Sequence, residues 1–261
     1  MTASGILLLW PTGWSRERKS TATIVVAAIL IVSFLWTLGT ILSGLGEPIG
    51  PVAQQFATGT RVTMELTVVA SLAGIAIGVL TSMARMTRFP PLRWAASFYM
   101  WVFRGTPLLV QIFFMYTALP GSIRLSEFGT AALALALNIG AYNAEALRAG
   151  LEAIPKGQTE AARSLGLKPL QTFVHIIAPQ GIKIALPSLV NNVVALLKDS
   201  SLAYTIGVLE LANVGNRLSA STFKPEISYL ATGAIYLVLT TLLTQISGAI
   251  EHQLDIEGRV A

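Results

Sequence analysis

Residues 150–179, GLEAIPKGQTEAARSLGLKPLQTFVHIIAP, are the longest polar interruption in the second half of an otherwise very apolar chain. With Arg148 just ahead, the stretch holds the cations Lys156, Arg163 and Lys168. Pro155 suits the first position of a helix, where its missing N–H removes no hydrogen bond. Gly166 suits the residue after a helix end, where φ is positive. The spacing predicts one short helix of about three turns between them. A helix that short is marginal alone in water, and the small Ala161 and Ala162 leave room for another surface to approach. The stretch therefore reads as a docking helix at a membrane surface or as a plain solvated loop helix.

Outward from this stretch the chain is a membrane protein. Of its 261 residues, 53% are hydrophobic and 12% charged, against about 25% charged in a soluble domain, and the mean hydropathy is +0.65. No secretory signal peptide is evident: the first 21 residues lack a cleavage pattern and the first apolar run is too long for an h-region. Six apolar runs, residues 22–45, 62–84, 94–119, 128–147, 180–198 and 226–248, are each expected to cross the bilayer, which takes about 20 residues. Gly44, Gly46, Pro48, Gly50 and Pro51 break the chain after the first run, and Arg104-Gly105-Thr106-Pro107 interrupts the third. Residues 199–225 are mixed, and neither an internal repeat nor a low-complexity tract is evident.

Cation placement sets an expected orientation. With the first tail inside, the inner segments hold eleven cations: Arg16, Arg18, Lys19, Arg85, Arg88, Arg93, Arg148, Lys156, Arg163, Lys168 and Arg259. The outer segments hold four: Arg61, Arg124, Arg217 and Lys224. This bias predicts both termini, and the Glu160 helix with them, on the cytoplasmic side.

Several chemistries find no support. Cysteine is absent, so there is no disulfide or thiolate site. A phosphate-binding loop ends in Gly-Lys-Ser/Thr, and no such tripeptide occurs. His175 and His252 have no metal-ligand spacing, and no serine–histidine–acid set suggests itself. The reading is a non-catalytic membrane protein without cofactor or metal and without a nucleic-acid partner.

Polar residues inside spans are costly and usually face a pathway or a partner. Asn138, Tyr142 and Glu145 follow i, i+4, i+7 and share a helix face, either as a structural seam or as a pore lining. Glu145 and Arg148 are spaced to pair. Arg104 sits where Pro107 forces a helix break; it binds freed carbonyls or faces a cavity. The strongest site candidate is NNVVALLKDSS (residues 191–201). Asn192 and Asp199 stack one above the other, and Asn191 with Lys198 forms a neighbouring stripe. Both stripes are expected to point inward, with the helix ending near Ser200 and leaving polar backbone around Ser200 and Ser201 inside the protein, as broken transporter helices do. Asp199 then meets an α-ammonium group or only pairs with Lys198.

Glu160-Ala161-Ala162, three residues, Gly166, nine residues, Ile176 and Pro179 resemble the EAA loop of ABC importer permeases, with Ala178 where that family usually has Leu. RGTPLLVQIFF (104–114), AYNAEALRAGLEAIPKGQTEAARSLGL (141–167), APQ (178–180) and LLKDSSLAYTIGVLEL (196–211) are similar to its polar amino-acid uptake branch. The resemblance spans about residues 60 to 251. It implies an all-α bundle of the type I importer permease kind with a cytoplasmic coupling helix. Gln158, Glu160, Ala161, Ala162 and Gly166 would dock a cytoplasmic ATP-binding subunit dimer, which binds the ATP and Mg. Other implied partners are a second permease copy or paralogue, an extracytoplasmic solute-binding protein and a polar amino acid, in a bacterial cytoplasmic (inner) membrane. Asn138, Asn192, Lys198, Asp199, Ser200 and Ser201 would line the substrate pathway. In cation-specific relatives the position of Asn192 tends to be Glu, so a neutral Asn weakly disfavours a cationic side chain. The family usually has five spans. Residues 22–59 are thus an extra helix and loop ahead of a permease domain at 60–251, with tails at 1–21 and 252–261.

The competing class is a secondary amino-acid transporter driven by an ion gradient. The missing internal repeat argues against it, and the Glu160 loop has no purpose in it. A purely structural anchor leaves Asn192, Lys198 and Asp199 unexplained.

Overall fold

A computed structural model describes residues 10–118 and 125–254. The outermost parts of both expected tails, most of the loop expected at 120–127, Arg124 and Arg259 lie outside the described residues. Among the described residues ten α-helices follow one another: α1 (Arg16–Ser43), α2 (Ala53–Met86), α3 (Pro90–Gly105), α4 (Leu108–Ala118), α5 (Glu127–Glu152), α6 (Lys156–Ser164), α7 (Pro169–Thr172), α8 (Ala178–Asp199), α9 (Leu211–Thr222) and α10 (Pro225–Leu254). No strand occurs among the described residues.

Among the described residues four helical runs are both long and apolar enough to cross a membrane alone: Arg16–Ser43, Gly50–Met86, Pro169–Ile206 and Pro225–Leu254. The other two expected spans do not qualify as single helices. The third is two helices, α3 and α4, bent by 110° at residues 106–107. Neither arm, at 16 and 11 residues, reaches the length a bilayer requires alone, but together they are long and apolar enough for one broken span, with the break at the expected interruption. The fourth, α5, has 26 residues but is made less apolar by Asn138, Asn143, Glu145 and Arg148. It can carry them because it is the central helix, packed against α2, α3, α4 and α8.

Small residues bring these helices together, as membrane packing requires where burial itself supplies little drive. A Cβ on Gly78 of α2 would stand 2.7 Å from the Asn143 Cβ of α5, and one on Gly150 of α5 would collide with the Gly181 carbonyl of α8. One apolar cluster joins Leu66, Ile112, Leu135, Ile139 and Leu196; a second joins Leu38, Phe56, Leu197, Leu211 and Leu239. The added helix α1 packs on α10 and α2, and Ser20 of α1 is 3.2 Å from the His252 Nδ1 of α10. The start of α1 and the end of α10 therefore lie close together. The opposite side of α1, with Ile29, Val32 and Trp36, is exposed, as suits contact with lipid.

The decisive stretch is helical on both sides of a tight turn. α6 runs Lys156–Ser164, with Pro155 as its N-cap rather than its first residue. Gly166 adopts φ +79°. The Leu167 N–H donates to Ala162 O at 3.1 Å and the Gly166 N–H to Arg163 O at 2.9 Å, the paired closure of a helix end that a left-handed residue permits. The fifth span starts eleven residues earlier than expected, at Pro169. Its first turns widen into a π-helical stretch, Phe173–Ile177, just ahead of Pro179, whose ring offers no backbone donor. At the other end the helix tightens to a 3₁₀ form over Ser200–Ile206 and stops at Gly207, φ +96°.

Candidate functional site

Three elements enclose a cavity of about 320 Å³. The bent pair contributes Thr106 and Pro107, α5 contributes Asn138 and Tyr142, and α8 contributes Asn192 and Asp199, over a floor that includes Leu108, Ile139 and Leu196. The i, i+7 face of α8 and the first two members of the α5 face thus converge on one space.

The break is what opens it. Pro107 stops α3 and frees the carbonyls of Phe103 and Thr106. Unpaired buried carbonyls are costly in a membrane. The Gln111 Nε2 donates to Phe103 O at 2.9 Å and to Thr106 O at 3.1 Å, and the Asn138 Nδ2 donates to Phe103 O at 3.1 Å and to the Gln111 Oε1 at 3.0 Å. Gln111 is 7% exposed. Sequence reasoning missed it, although an amide four residues beyond a helix-breaking proline in an apolar run was the available signal.

Arg104 takes neither expected role in full. It leaves the freed carbonyls to Gln111 and Asn138, lies 3.4 Å from Glu145 Oε2 and stands 5.6 Å from the ring centroid of Tyr142. Glu145 also meets Arg85 at 3.7 Å and Arg148 at 2.5 Å, and Arg148 in turn pairs with Glu152. Glu145 is therefore the hub of an arginine cluster just beyond the Tyr142 edge of the cavity, not part of its lining.

Along residues 191–201 the two stripes diverge. Asn192 donates through Nδ2 to the Asn143 Oδ1 at 2.9 Å, and Asn191 accepts from Ser247 of α10 at 3.3 Å. Lys198, expected to point inward, does not line the cavity, whereas Asp199 does; both side chains are exposed, and among the described residues no ion pair joins them. One residue along a helix turns the side chain by about 100°, enough to carry Lys198 off the cavity wall that Asp199 lines. Ser200 is buried and donates to Leu197 O at 2.7 Å, and partly buried Ser201 does not line the cavity.

On α6, Gln158, Glu160 and Ala161 are exposed, whereas Ala162 is 1% exposed. The two alanines therefore divide: Ala161 faces outward beside Glu160, and Ala162 packs inward on the chain's own π-helical start. Leu165 and Leu170, at 82% and 73% exposed, stand beside this polar face.

Sequence reasoning also missed Glu210, which is fully buried. Its carboxylate caps α9 by accepting from Ala212 N at 2.9 Å and Asn213 N at 2.8 Å, and it accepts from the hydroxyls of Tyr236 at 2.8 Å and Thr63 at 3.3 Å. It ties α2, α9 and α10 together on the far side of the second apolar cluster.

Residues 70–255 match the family described as binding-protein-dependent transport system inner membrane component. The chain belongs to that family. It is 35% identical over 228 residues to the L-cystine transport system permease protein TcyB of Bacillus subtilis (strain 168), covering 85% of this chain and 97% of the relative. It is 35% identical over 198 residues to the arginine transport system permease protein ArtQ of the same organism, covering 75% and 90%. Among solved structures, the chain of an amino acid ABC transporter with histidines aligns at a TM-score of 0.72 and 33% identity, over 81% of this chain and 96% of that one. The inward-facing MetNI methionine ABC transporter aligns at 0.60 and 19% identity, covering 79% and 99%, a likeness of fold. The binding-protein-dependent permease is thus a multi-pass, all-helical membrane subunit. The family match begins inside α2, so α1 lies ahead of it.

Proposed function

We propose that this permease is the membrane-spanning subunit of an ATP-driven importer for a polar amino acid. The observation that carries the reading is a mechanical one. The exposed helix α6 is joined through a single glycine turn to the helical run Pro169–Ile206, whose far part presents Asn192 and Asp199 to the polar cavity. At about 1.5 Å per residue, some 45 Å of helix separates Pro169 from Asp199. A push on α6 is therefore delivered to the cavity wall as a rigid-body motion.

In this reading a dimer of cytoplasmic ATP-binding subunits holds ATP and Mg and docks on Gln158, Glu160 and Ala161. Nucleotide binding displaces α6 and rocks α8 against α5, so that the cavity opens alternately to either side. A solute-binding protein delivers the amino acid from outside, and a second permease, identical or related, completes the pathway. Asp199 receives the α-ammonium group, and Asn138 and Asn192 meet the remaining polar groups. Both termini lie in the cytoplasm of a bacterial inner-membrane protein. The cation bias and the contact of Ser20 with His252 support this orientation. The names of the relatives, for cystine and arginine, support the amino-acid class.

Proteoliposome uptake tests the reading. Uptake that requires ATP and the ATP-binding subunit is expected. Uptake by this chain alone under an ion gradient would replace the reading with a secondary transporter.

A further inference from the structure

We infer that the turn between α2 and α3 is a binding site for the phosphate headgroup of an anionic phospholipid, with Arg85, Arg88 and Arg93 as the cations that receive it. The site shares no lining residue with the polar cavity, and the inference needs only that the chain spans a membrane.

Between Glu65 and Glu127 the sequence holds five arginines and no acidic residue. Three of the five, Arg85, Arg88 and Arg93, fall at this one turn. It follows a helical run, Gly50–Met86, that is long and apolar enough to cross the bilayer. Arg85 lies in the last turn of that run, and the end of a span meets the headgroup region. There, α2 and α3 form a pocket of about 380 Å³ lined by Arg85, Pro90, Arg93, Trp94 and Ser97.

The three cations are held differently. Arg85 is anchored: it lies 3.7 Å from Glu145 Oε2, and its Nη1 donates to the Met100 Sδ at 3.6 Å. Glu145 is shared with Arg104 and Arg148, so one carboxylate leaves this cluster positive. Arg88 and Arg93 are exposed and form no ion pair among the described residues. The other donors near the pocket are spent or missing. The Ser97 hydroxyl donates to Arg93 O at 2.9 Å, and Pro90 and Pro91 open α3 without N–H groups. An anion in this pocket is therefore held by guanidinium groups, whose planar fork matches phosphate.

The neighbouring surface selects a lipid. Trp94 lines the pocket and also begins an aromatic stripe, because Trp94, Phe98 and Trp101 recur at i, i+4, i+7 on one face of α3. Successive rings lie 5.7 and 5.8 Å apart, and the three side chains are 72%, 51% and 73% exposed. Tryptophan favours the membrane–water interface, and clustered arginines there attract anionic headgroups. A ligand with its phosphate in the pocket and its acyl chains along the stripe uses both surfaces at once. A free phosphate or an acidic protein segment leaves the stripe unused.

The test places the purified permease–ATPase complex in phosphatidylcholine vesicles containing phosphatidylglycerol, with bromine on the acyl chains of one lipid or of the other. Bromine quenches nearby tryptophan fluorescence, and the difference from Trp94→Phe isolates the share of Trp94. At equal mole fraction, phosphatidylglycerol is expected to be enriched at Trp94 at least about fivefold, the worth of one cation at an anionic surface. Equal quenching by the two lipids would overturn the inference. The double variant Arg88→Gln, Arg93→Gln should lose the enrichment, whereas Arg88→Lys, Arg93→Lys should keep most of it. Enrichment that survives the glutamine variant would overturn the assignment of these residues, and so would its loss in the lysine variant, which keeps the test decisive where the glutamine variant fails to assemble. Inorganic phosphate, compared with chloride at the same ionic strength, should leave the enrichment unchanged; its displacement by phosphate would mark a free-anion site instead. Equal quenching together with reduced complex yield in the glutamine variant would assign the cations to an acidic protein surface.

Discussion

The Tyr236 hydroxyl donates to the Glu210 carboxylate at 2.8 Å, joining α10 to the cap of α9 inside a fully enclosed site. The same carboxylate accepts two backbone N–H groups and the Thr63 hydroxyl, so its charge is distributed over three helices. A hydrogen bond to a charged group contributes about 1.5–3 kcal/mol. Tyr236→Phe should therefore destabilise the assembled complex by about that amount. Glu210→Ala, which removes all four bonds and the cap together, should cost more. Thermal unfolding of the purified complex checks both; equal midpoints for Tyr236→Phe and wild type would contradict the network.

The Gly166 turn tests coupling. A Cβ at Gly166 meets nothing within 4 Å, but the residue holds φ +79°. The penalty for Gly166→Val is then one of backbone strain, about 1–2 kcal/mol, falling on the joint between α6 and the fifth span. Substrate-stimulated ATPase activity and uptake should drop together while the chain still inserts in the membrane. Wild-type stimulation in this variant would argue that α6 transmits nothing.

Asp199 and Lys198 are separable. Asp199 lines the cavity and has no ion-pair partner within 4.0 Å among the described residues, while Lys198 does not line it. Asp199→Asn should lower substrate-stimulated ATPase activity by roughly one to two decades, from the loss of one charged hydrogen bond, with complex yield unchanged. Lys198→Met should be close to silent in both measurements. If Asp199→Asn instead reduced assembly and Lys198→Met restored it, the two residues would be a structural pair.

Glu145 gathers Arg85, Arg104 and Arg148. With these side chains about a third exposed, each pair contributes modestly, about 0.2–1 kcal/mol. Glu145→Gln leaves three neighbouring cations without their shared anion, and the complex should lose about 1–2 kcal/mol in stability. The loss should be larger at low than at high salt. A salt-independent change would show that the carboxylate acts through packing alone.

Much of this molecule was legible in the chain because the features concerned are local. Long apolar runs must become helices in lipid, since no other open structure satisfies the backbone there. Pro107 must break its helix, a glycine must take the left-handed turn at 166, and residues seven apart must share a helix face, wherever the helices lie. What the sequence left open was rotation and partnership. Lys198 and Asp199 are neighbours in sequence but only Asp199 lines the cavity, because the phase of α8 is set by close contacts such as Gly150 against Gly181. Glu210 and Thr63 stand 147 residues apart, and Asn143 and Asn192 stand 49 apart, so no periodicity couples either pair. Arg104 was drawn away from the freed carbonyls because tertiary packing brought Gln111 and Asn138 to them first and set Glu145 beside its guanidinium. Helical class, break points and the short exposed helix α6 follow from backbone sterics and the solvent. Which polar atoms meet in the cavity follows only from how small residues let the helices settle against one another.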